Sequence, residues 1–233
     1  MPFTKYKTIL FDIDDTLFDF KATEYAALHN TFMDYDLPNG FSDYHGSYKE
    51  ISKILWEDLE QGKIALKELG VERFKRLFLK HELETDAGLF SESYLGYLGQ
   101  EMHLMPGAVE VLAGLTHCRL AIITNGFGEV QKARIANSPI SSHFEQIIIS
   151  EETGFQKPHH GIFDYAFSKL KLSSKEKVLM VGDSLTSDIR GGNNYGIDTV
   201  WFNPENKENL AGVRPTYEIS DLLELADIVN GNK

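Results

Sequence analysis

Two closely spaced aspartates follow a short apolar segment near the N-terminus of the chain. Residues 9–17 read ILFDIDDTL, which places Asp12 and Asp14 directly after side chains that suit a buried strand. Side chains two positions apart on an extended backbone point to the same side. A carboxylate buried without compensation destabilises a fold by several kcal/mol, so we expect a cation beside this pair. A local conflict of this kind is typical of a functional site.

Polar residues also follow three later apolar segments. They are Thr124-Asn125-Gly126, Lys157-Pro158, and Gly182-Asp183-Ser184 together with Asp188. The first motif offers a hydroxyl, an amide and a backbone freed by glycine, which are groups that can bind phosphate oxygens. Because the carboxyl ends of parallel strands lie along one edge of a sheet, we expect the later aspartates to meet Asp12, Asp14 and Lys157 there.

The aspartates would repel one another if no cation lay between them. Two carboxylates ~4 Å apart repel by about 4 kcal/mol at an effective dielectric of about 20. Three or four together would remove a large share of the ~5–15 kcal/mol that stabilises a domain. The motifs offer oxygen ligands, and a small set of carboxylates that leaves positions for water and phosphate suits Mg²⁺ better than Ca²⁺. The sequence therefore predicts a Mg²⁺ site, with Mn²⁺ as the alternative.

Strand and helix patterns alternate through most of the chain, as in a parallel sheet covered on both faces. Runs of β-branched and large apolar residues predict strands at Thr8–Ile13, Leu120–Thr124, Gln146–Ser150, Val178–Gly182 and Thr199–Phe202. Helices are predicted at Gly107–Leu115, Gly128–Ala136, Gly161–Leu170 and Leu185–Tyr195. The fold class is therefore α/β, and the polar motifs lie at or just beyond strand ends.

One long stretch interrupts this alternation. Residues 18–103 show helical spacing of apolar side chains, as at Tyr25, Leu28 and Phe32, and contain no convincing strand. The sequence predicts an all-helical domain over this range, inserted after the first strand, with residues 1–17 and 104–233 forming the core. Since ligands of open α/β sheets bind beyond the carboxyl ends of the strands, we expect the insertion to act as a lid.

The composition restricts the possible partners. The chain has 233 residues, with 23 basic and 35 acidic side chains and a formal net charge of −12. A nucleic acid polymer is not expected as a partner, because it requires a basic face. Cys118 is the only cysteine, and the sequence has neither a signal-peptide pattern nor a run of ~20 apolar residues. We expect a cytoplasmic protein without a membrane partner, whose oligomeric state stays open.

Together the motifs resemble the four ordered motifs of the haloacid dehalogenase-like hydrolase superfamily. The likeness covers nearly the whole chain and rests on the order of the motifs and their place at strand ends. It implies a Rossmann-like catalytic core with a helical cap of the C1 type. Two further stretches are similar to the bacterial 5′-nucleotidase branch of that superfamily. They are residues 55–64, which read LWEDLEQGKI, and residues 182–204.

The resemblance implies chemical roles for the acidic residues. Asp12 would attack phosphorus and form an aspartyl-phosphate, while Asp14 would protonate the leaving oxygen and later accept a proton from water. Mg²⁺ would be bound by Asp12, the backbone carbonyl of Asp14, and Asp183. Asp188 and Thr16 would support these ligands without binding the metal themselves, and direct ligation by Asp188 is an open alternative.

The resemblance assigns the phosphate group to the remaining motifs. Thr124, Asn125, Gly126 and Lys157 would bind its oxygens, and Lys157 would also be catalytic, because it would neutralise charge that develops during the reaction.

The predicted function is Mg²⁺-dependent hydrolysis of small phosphate monoesters, with nucleoside 5′-monophosphates as the leading substrates. Phosphoglycolate and sugar phosphates are alternatives within the same chemistry. A 2-haloacid dehalogenase is disfavoured, because dehalogenases of this superfamily carry a non-acidic residue where this chain has Asp14. A catalytically silent protein-binding scaffold is the alternative outside enzymes, and the intact Asp12, Lys157 and Asp183 argue against it.

Overall fold

The chain passes out of one structural unit at Phe20 and returns to it at His103. The computed structural model describes residues 4–37 and 40–232. One unit comprises the described residues up to Phe20 together with those from His103 onward, and the other comprises Lys21–Met102. The first unit contains the sheet, and the second is helical. The helical unit lies within the predicted insertion, residues 18–103, and its role as a lid stays a prediction.

The first unit is built around a parallel sheet, which has six strands among the described residues. The strands are β1 (Thr8–Phe11), β2 (Arg119–Thr124), β3 (Gln146–Ile149), β4 (Val178–Gly182), β5 (Asp198–Phe202) and β6 (Tyr217–Ile219). Their order is β3-β2-β1-β4-β5-β6, so β1 lies between β2 and β4. The strand order reverses at β1, and open α/β sheets bind ligands at such a switch point.

Continuous apolar runs explain the central position of β1 and β4. Every residue of these two strands is buried, as is typical of strands covered on both faces. Leu10 of β1, Ile123 of β2 and Met180 of β4 belong to one buried cluster with Ile162 and Phe163. This cluster fixes the sheet against a helix and so holds the strand ends in place.

The second unit is built from long helices. They are α1 (Phe20–Asp34), α2 (Gly40–Glu60), α3 (Leu66–Lys80) and α4 (Ala87–Gln100). Phe74 of α3 packs against Tyr48 of α2 and against Phe90 and Tyr94 of α4, with ring centroids between 4.8 and 5.6 Å apart. These helix-spaced aromatic residues are therefore core side chains of the helical unit.

Shorter helices cover the sheet of the first unit. They are α5 (Ala108–Gly114), α6 (Gly128–Ala136), α7 (Ser150–Thr153), α8 (His160–Lys169), α9 (Arg190–Tyr195) and α10 (Leu225–Asn230). Short 3₁₀ turns lie at Ser141–His143 and Leu222–Glu224. Within residues 4–37 and 40–232, no helix has the length and apolar character needed to cross a membrane.

Backbone hydrogen bonds join the two segments through which the chain leaves and re-enters the first unit. The Asp19 N–H donates to the His103 carbonyl at 2.9 Å, and the Met105 N–H donates to the Leu17 carbonyl at 2.9 Å. The two segments are thus fixed side by side on the unit that contains the sheet.

The strands differ from the predicted ones mainly at their ends. β1 ends at Phe11 rather than at Ile13, and β3 ends at Ile149 because Ser150 begins α7. β6 has no counterpart among the predicted strands. It is three residues long and contains the charged Glu218, so neither length nor periodicity distinguishes it from a loop.

The helix predicted over Leu185–Tyr195 begins with a wide turn. The Asp188 and Ile189 N–H groups both donate to the Ser184 carbonyl, at 3.0 and 3.1 Å, so a π-helical turn precedes α9. Turns of this kind occur frequently at functional sites. No residue spacing in the sequence predicts this widening.

Candidate active site

The Asp12 side chain lies directly beyond β1 at the carboxyl edge of the sheet. Phe11 is in register with Ile122 of β2 and with Val181 of β4. The Asp12 N–H extends this pairing by donating to the Val181 carbonyl at 2.9 Å. The position of Asp12 is therefore set by the backbone of two neighbouring strands.

A buried lysine links two of the acidic side chains. Lys157 Nζ donates to Asp12 Oδ1 at 2.6 Å and to Asp188 Oδ1 at 2.7 Å, and Lys157 is 1% exposed. Although burial opposes its charge, the two carboxylates raise the pKa of Lys157 above its ordinary value. Lys157 is therefore a fixed cation at neutral pH.

Asp183 completes a cluster of three carboxylates with Asp12 and Asp188. One oxygen of each residue lies within 4.8 Å of the others. Burial raises the pKa of Asp12 to about 7 against the opposing charge of Lys157. Burial, reinforced by repulsion from Asp12, raises the pKa of Asp183 well above its ordinary value. When all three carboxylates are ionised, they and the one ammonium group carry a net charge of minus two, which a divalent cation would cancel.

Asp188 is held by the backbone that follows β4. Its Oδ2 accepts a hydrogen bond from the Ser184 N–H at 3.0 Å, while its Oδ1 accepts from Lys157. The Cβ of a residue larger than glycine at position 182 would lie 2.2 Å from Asp188 Oδ2. Gly182 is therefore needed for Asp188 to approach the strand end. Both carboxylate oxygens of Asp188 accept hydrogen bonds from neighbouring groups.

Thr16 and Trp201 fix the position of Asp183. The Asp183 N–H donates to Thr16 Oγ1 at 3.1 Å, and the Thr16 hydroxyl lies 3.4 Å from both Asp12 Oδ2 and Asp183 Oδ1. Trp201 Nε1 donates to the Asp183 carbonyl at 2.8 Å. Trp201 was not predicted as a site residue, because its apolar neighbours indicate only a core position in β5.

The Asn125 side chain fixes the segment that carries Lys157. Its Oδ1 accepts from the Lys157 N–H at 2.9 Å, and its Nδ2 donates to the Lys157 carbonyl at 2.9 Å. The amide thus bonds to the lysine backbone as a neighbouring strand would. This pairing joins the end of β2 to the loop that follows α7 and sets where the Lys157 side chain begins.

Thr124 and Gly126 both contact Gln131, a residue of α6 that the sequence analysis did not identify. Thr124 Oγ1 accepts from the Gly126 N–H at 3.2 Å and from Gln131 Nε2 at 3.1 Å. A Cβ at position 126 would lie 2.1 Å from Gln131 Nε2, so Gly126 provides the space for this side chain. Because Thr124 Oγ1 accepts both bonds, its own O–H can still donate.

The Asp14 carboxylate does not belong to the cluster of three; it bonds to two side chains of α6. Its Oδ1 accepts from Arg134 Nη1 at 2.5 Å, and its Oδ2 accepts from Gln131 Nε2 at 2.5 Å. Arg134 also escaped the sequence analysis. The sequence could have indicated Arg134 in one way: it is a charged residue at a position of α6 where the helical periodicity predicts a buried side chain.

The donor set of the three-carboxylate cluster fits a hard divalent cation. Asp12, Asp183 and Asp188 offer carboxylate oxygens, which Mg²⁺ and Mn²⁺ prefer. Burial and mutual repulsion raise the pKa values of Asp12 and Asp183, and a cation bound among these carboxylates would favour their charged forms. The residues at this strand edge therefore fit the predicted metal.

A comparison with protein families identifies the class of protein that this fold and site define. A model of the haloacid dehalogenase-like hydrolases matches residues 6–196, a range that contains every motif residue from Asp12 to Asp188. The chain belongs to the haloacid dehalogenase-like hydrolase family. The predicted family and the predicted α/β fold are both confirmed.

Two curated relatives cover nearly the whole chain. Pyrimidine 5′-nucleotidase PynA of Streptococcus pneumoniae is 39% identical over 231 residues, which are 97% of this chain and 96% of that protein. Pyrimidine 5′-nucleotidase YjjG of Escherichia coli is 34% identical over 226 residues, which are 97% of this chain and 98% of that protein. The chain is thus similar to these enzymes along nearly its full length.

One solved structure shares the fold of this chain, and its sequence identity to the chain is similar to that of the two nucleotidases. It is a crystal structure of the HAD-hydrolase YfnB from Bacillus subtilis bound to magnesium, which reveals interdomain movement in that protein. The TM-score is 0.90 and the identity 40%, covering 97% of this chain and 99% of that chain.

Proposed function

We propose that this protein is a Mg²⁺-dependent phosphatase that hydrolyses nucleoside 5′-monophosphates, with pyrimidine nucleotides as its preferred substrates. The observation that carries the proposal is the buried cluster at the end of β1, where the carboxylates of Asp12, Asp183 and Asp188 lie together and Lys157 donates to Asp12. The similarity to two pyrimidine 5′-nucleotidases supports the choice of substrate. Asp14, two residues beyond Asp12, is an acidic residue that could protonate a leaving group. Its presence therefore supports a phosphate ester as the substrate, because the ester oxygen needs a proton when it leaves.

Asp12 is the proposed nucleophile. A carboxylate oxygen of Asp12 attacks phosphorus in line, so that a new O–P bond forms while the bond from phosphorus to the ester oxygen breaks. The product is an aspartyl-phosphate, which divides one difficult step into two easier ones. Lys157, bonded to Oδ1 at 2.6 Å, fixes the carboxylate and keeps it in place as its charge changes.

Asp14 is the proposed general acid and base. In the first half of the reaction its proton passes to the departing ester oxygen, which leaves as the nucleoside hydroxyl. In the second half the same carboxylate accepts a proton from the water that attacks the aspartyl-phosphate. This attack releases phosphate and restores Asp12.

The remaining motif residues would bind the phosphoryl oxygens. The Thr124 hydroxyl, the Asn125 backbone and Gly126 lie on the loop after β2, and Lys157 adds a positive charge to the same edge. Such donors stabilise the charge that develops on phosphoryl oxygens in the transition state. The Asn125 side chain itself is engaged with Lys157, so we assign its contribution to the backbone.

The metal would be bound by Asp12, the backbone carbonyl of Asp14, and Asp183. When bound, Mg²⁺ would supply positive charge to the phosphate and to the nucleophile's surroundings. Asp188 and Thr16 hold the ligands in place through the hydrogen bonds described above.

A substrate panel tests the proposal directly. Phosphate release is measured for UMP, CMP, TMP, AMP, GMP, phosphoglycolate and glucose 6-phosphate, each with Mg²⁺, with Mn²⁺ and with excess EDTA. We expect activity that requires the metal and a kcat/KM that is highest for the pyrimidine nucleotides. A higher kcat/KM for phosphoglycolate or the sugar phosphate would reject the substrate assignment. No phosphate release from any ester with either metal would reject the phosphatase.

Asp12→Asn tests the nucleophile. Loss of the attacking carboxylate should lower kcat by about 10⁴-fold or more, while circular dichroism shows an unchanged fold. Asp36→Asn is the matched control, because Asp36 is exposed in the turn after α1 at a φ of 54°, where Asn is equally well tolerated. Activity of Asp12→Asn within a few-fold of the wild type would exclude Asp12 as the nucleophile.

A further inference from the structure

Arg134 is a buried charged residue that serves no step of the mechanism described above. Its side chain is 0% exposed, whereas the side chain of its partner Asp14 is 25% exposed. Arg134 lies on α6, one helical turn beyond Gln131. Both side chains reach the same carboxylate, and they bond to different oxygens of it.

The burial of Arg134 is costly and only partly compensated. Its Nη1 bonds to Asp14 and to Gln131 Oε1, at 2.5 and 3.2 Å. Its Nε and Nη2 have no hydrogen-bond partner within the described part of the chain. The guanidinium instead lies over the rings of Phe18 and Phe20, at 4.7 and 5.7 Å. Burying a guanidinium with two unpaired nitrogens opposes folding, so the bond to the Asp14 carboxylate is the main polar contact that compensates it.

The two α6 side chains restrict the Asp14 carboxylate as a pair. Bonds at 2.5 Å to both oxygens define the plane of the carboxylate as well as its position. Gln131 is itself fixed, because its Oε1 accepts from Arg134 and its Nε2 also donates to Thr124 Oγ1. The orientation of Asp14 is therefore set from the buried side, while its remaining surface faces solvent.

We infer that Arg134 and Gln131 are positioning residues, which hold the Asp14 carboxylate in the orientation needed for proton transfer to the leaving group. The inference rests on the proposed phosphatase reaction, in which Asp14 is the acid. It adds two residues of α6 to that reaction and assigns them no contact with the substrate.

Leaving-group dependence separates positioning from a structural role. A nucleoside leaves as an alkoxide that needs a proton, whereas 2,4-dinitrophenolate is stable as an anion and needs none. If Arg134 acts through Asp14, its loss should slow UMP hydrolysis far more than 2,4-dinitrophenyl phosphate hydrolysis. A purely structural role would slow both reactions equally.

The experiment compares Arg134→Met and Gln131→Met with the wild type on both substrates in the presence of Mg²⁺. For each variant we expect kcat for UMP to fall by about 10- to 100-fold, as for the partial loss of general acid catalysis. We expect kcat for 2,4-dinitrophenyl phosphate to stay within about threefold of the wild type. Lys132→Met is the matched control, since Lys132 is an exposed residue of the same helix.

Two results would overturn the inference, and they differ from each other. Equal losses on both substrates in the variants, with an active wild type, would reject the positioning role while leaving the phosphatase intact. A wild type that hydrolyses neither substrate would reject the reaction on which the inference rests. Gln131→Met keeps the question answerable if Arg134→Met does not fold, because it removes one bond to Asp14 without removing a buried charge.

Discussion

Lys157 has a larger role at the residue scale than its single positive charge suggests. It compensates part of the charge of Asp12 and Asp188 and is itself held by the Asn125 side chain through its backbone. A buried cation of this kind stabilises the fold and the site through the same contacts. Activity and stability should therefore change together when it is removed.

We expect Lys157→Met to abolish phosphatase activity and to destabilise the protein. Removing one partner from a buried ion pair costs about 3–5 kcal/mol, because the other charges stay buried without compensation. Urea unfolding in EDTA measures this loss. Lys53→Met is the control, since Lys53 is exposed on α2, and it should change the free energy of unfolding little. An equal midpoint and slope for Lys157→Met and the wild type would contradict the assigned burial.

At the scale of secondary-structure elements, the turn after β4 positions two of the three clustered carboxylates. Gly182 ends the strand, the next residue is Asp183, and a π-helical turn places Asp188 against the strand end. The absence of a side chain at position 182 is what allows the Asp188 carboxylate to lie there.

We expect Gly182→Ala to impair both activity and stability. The added Cβ would lie 2.2 Å from Asp188 Oδ2, so Asp188 must shift, and its bonds to Lys157 and Ser184 must weaken. Gly46→Ala is the control: nothing lies within 4 Å of its Cβ position, and alanine in a helix is favoured over glycine by roughly 0.5–1 kcal/mol. The melting temperature should fall in Gly182→Ala and rise slightly in Gly46→Ala, whereas UMP hydrolysis should fall in Gly182→Ala alone. A Gly182→Ala protein as active and stable as the wild type would refute this account.

The sequence predicted elements and residues that depend on local patterns. β1 and β4 were identified from continuous apolar runs, and Asp12 and Asp183 were identified because they follow those runs. The backbone geometry after Ser184 was not predictable, since a wide turn and a regular one differ by a single hydrogen bond. β6 was missed because three residues carry too little periodicity.

The site residues that were not predicted are those whose partners lie far away in the sequence. Arg134 meets Asp14 across 120 positions of sequence, and Trp201 meets the backbone of Asp183. Neither partner lies at a spacing that helices or strands make regular. A charged residue in the apolar face of a helix is visible in the sequence, but its partner is not.

At the scale of the whole molecule, metal binding and folding should be linked. The carboxylate oxygens of Asp12, Asp183 and Asp188 lie within 4.8 Å of one another in the folded chain, and unfolding separates them. A cation that binds the folded form alone stabilises it by about 2.7 kcal/mol at a concentration 100 times its Kd.

We expect Mg²⁺ to raise the melting temperature of the wild type in a concentration-dependent manner. Asp183→Asn should lose most of this shift, because it removes one of the proposed ligands. Asp36→Asn, which removes an equal charge from an exposed turn, should keep it. Differential scanning fluorimetry in the absence of substrate provides the measurement. A shift of the same size in Asp183→Asn would place the metal elsewhere.

The paired backbone segments at Asp19–His103 and Leu17–Met105 have a consequence for how this protein family can diversify. A segment inserted between these two backbone segments has its ends held close together. The entropic cost of closing such a loop grows only slowly with its length. Mutation and recombination can therefore enlarge, shorten or exchange the segment Lys21–Met102 while the register of the strands stays the same. The strand register and the length of this helical segment are in this sense encoded in separable stretches of one gene.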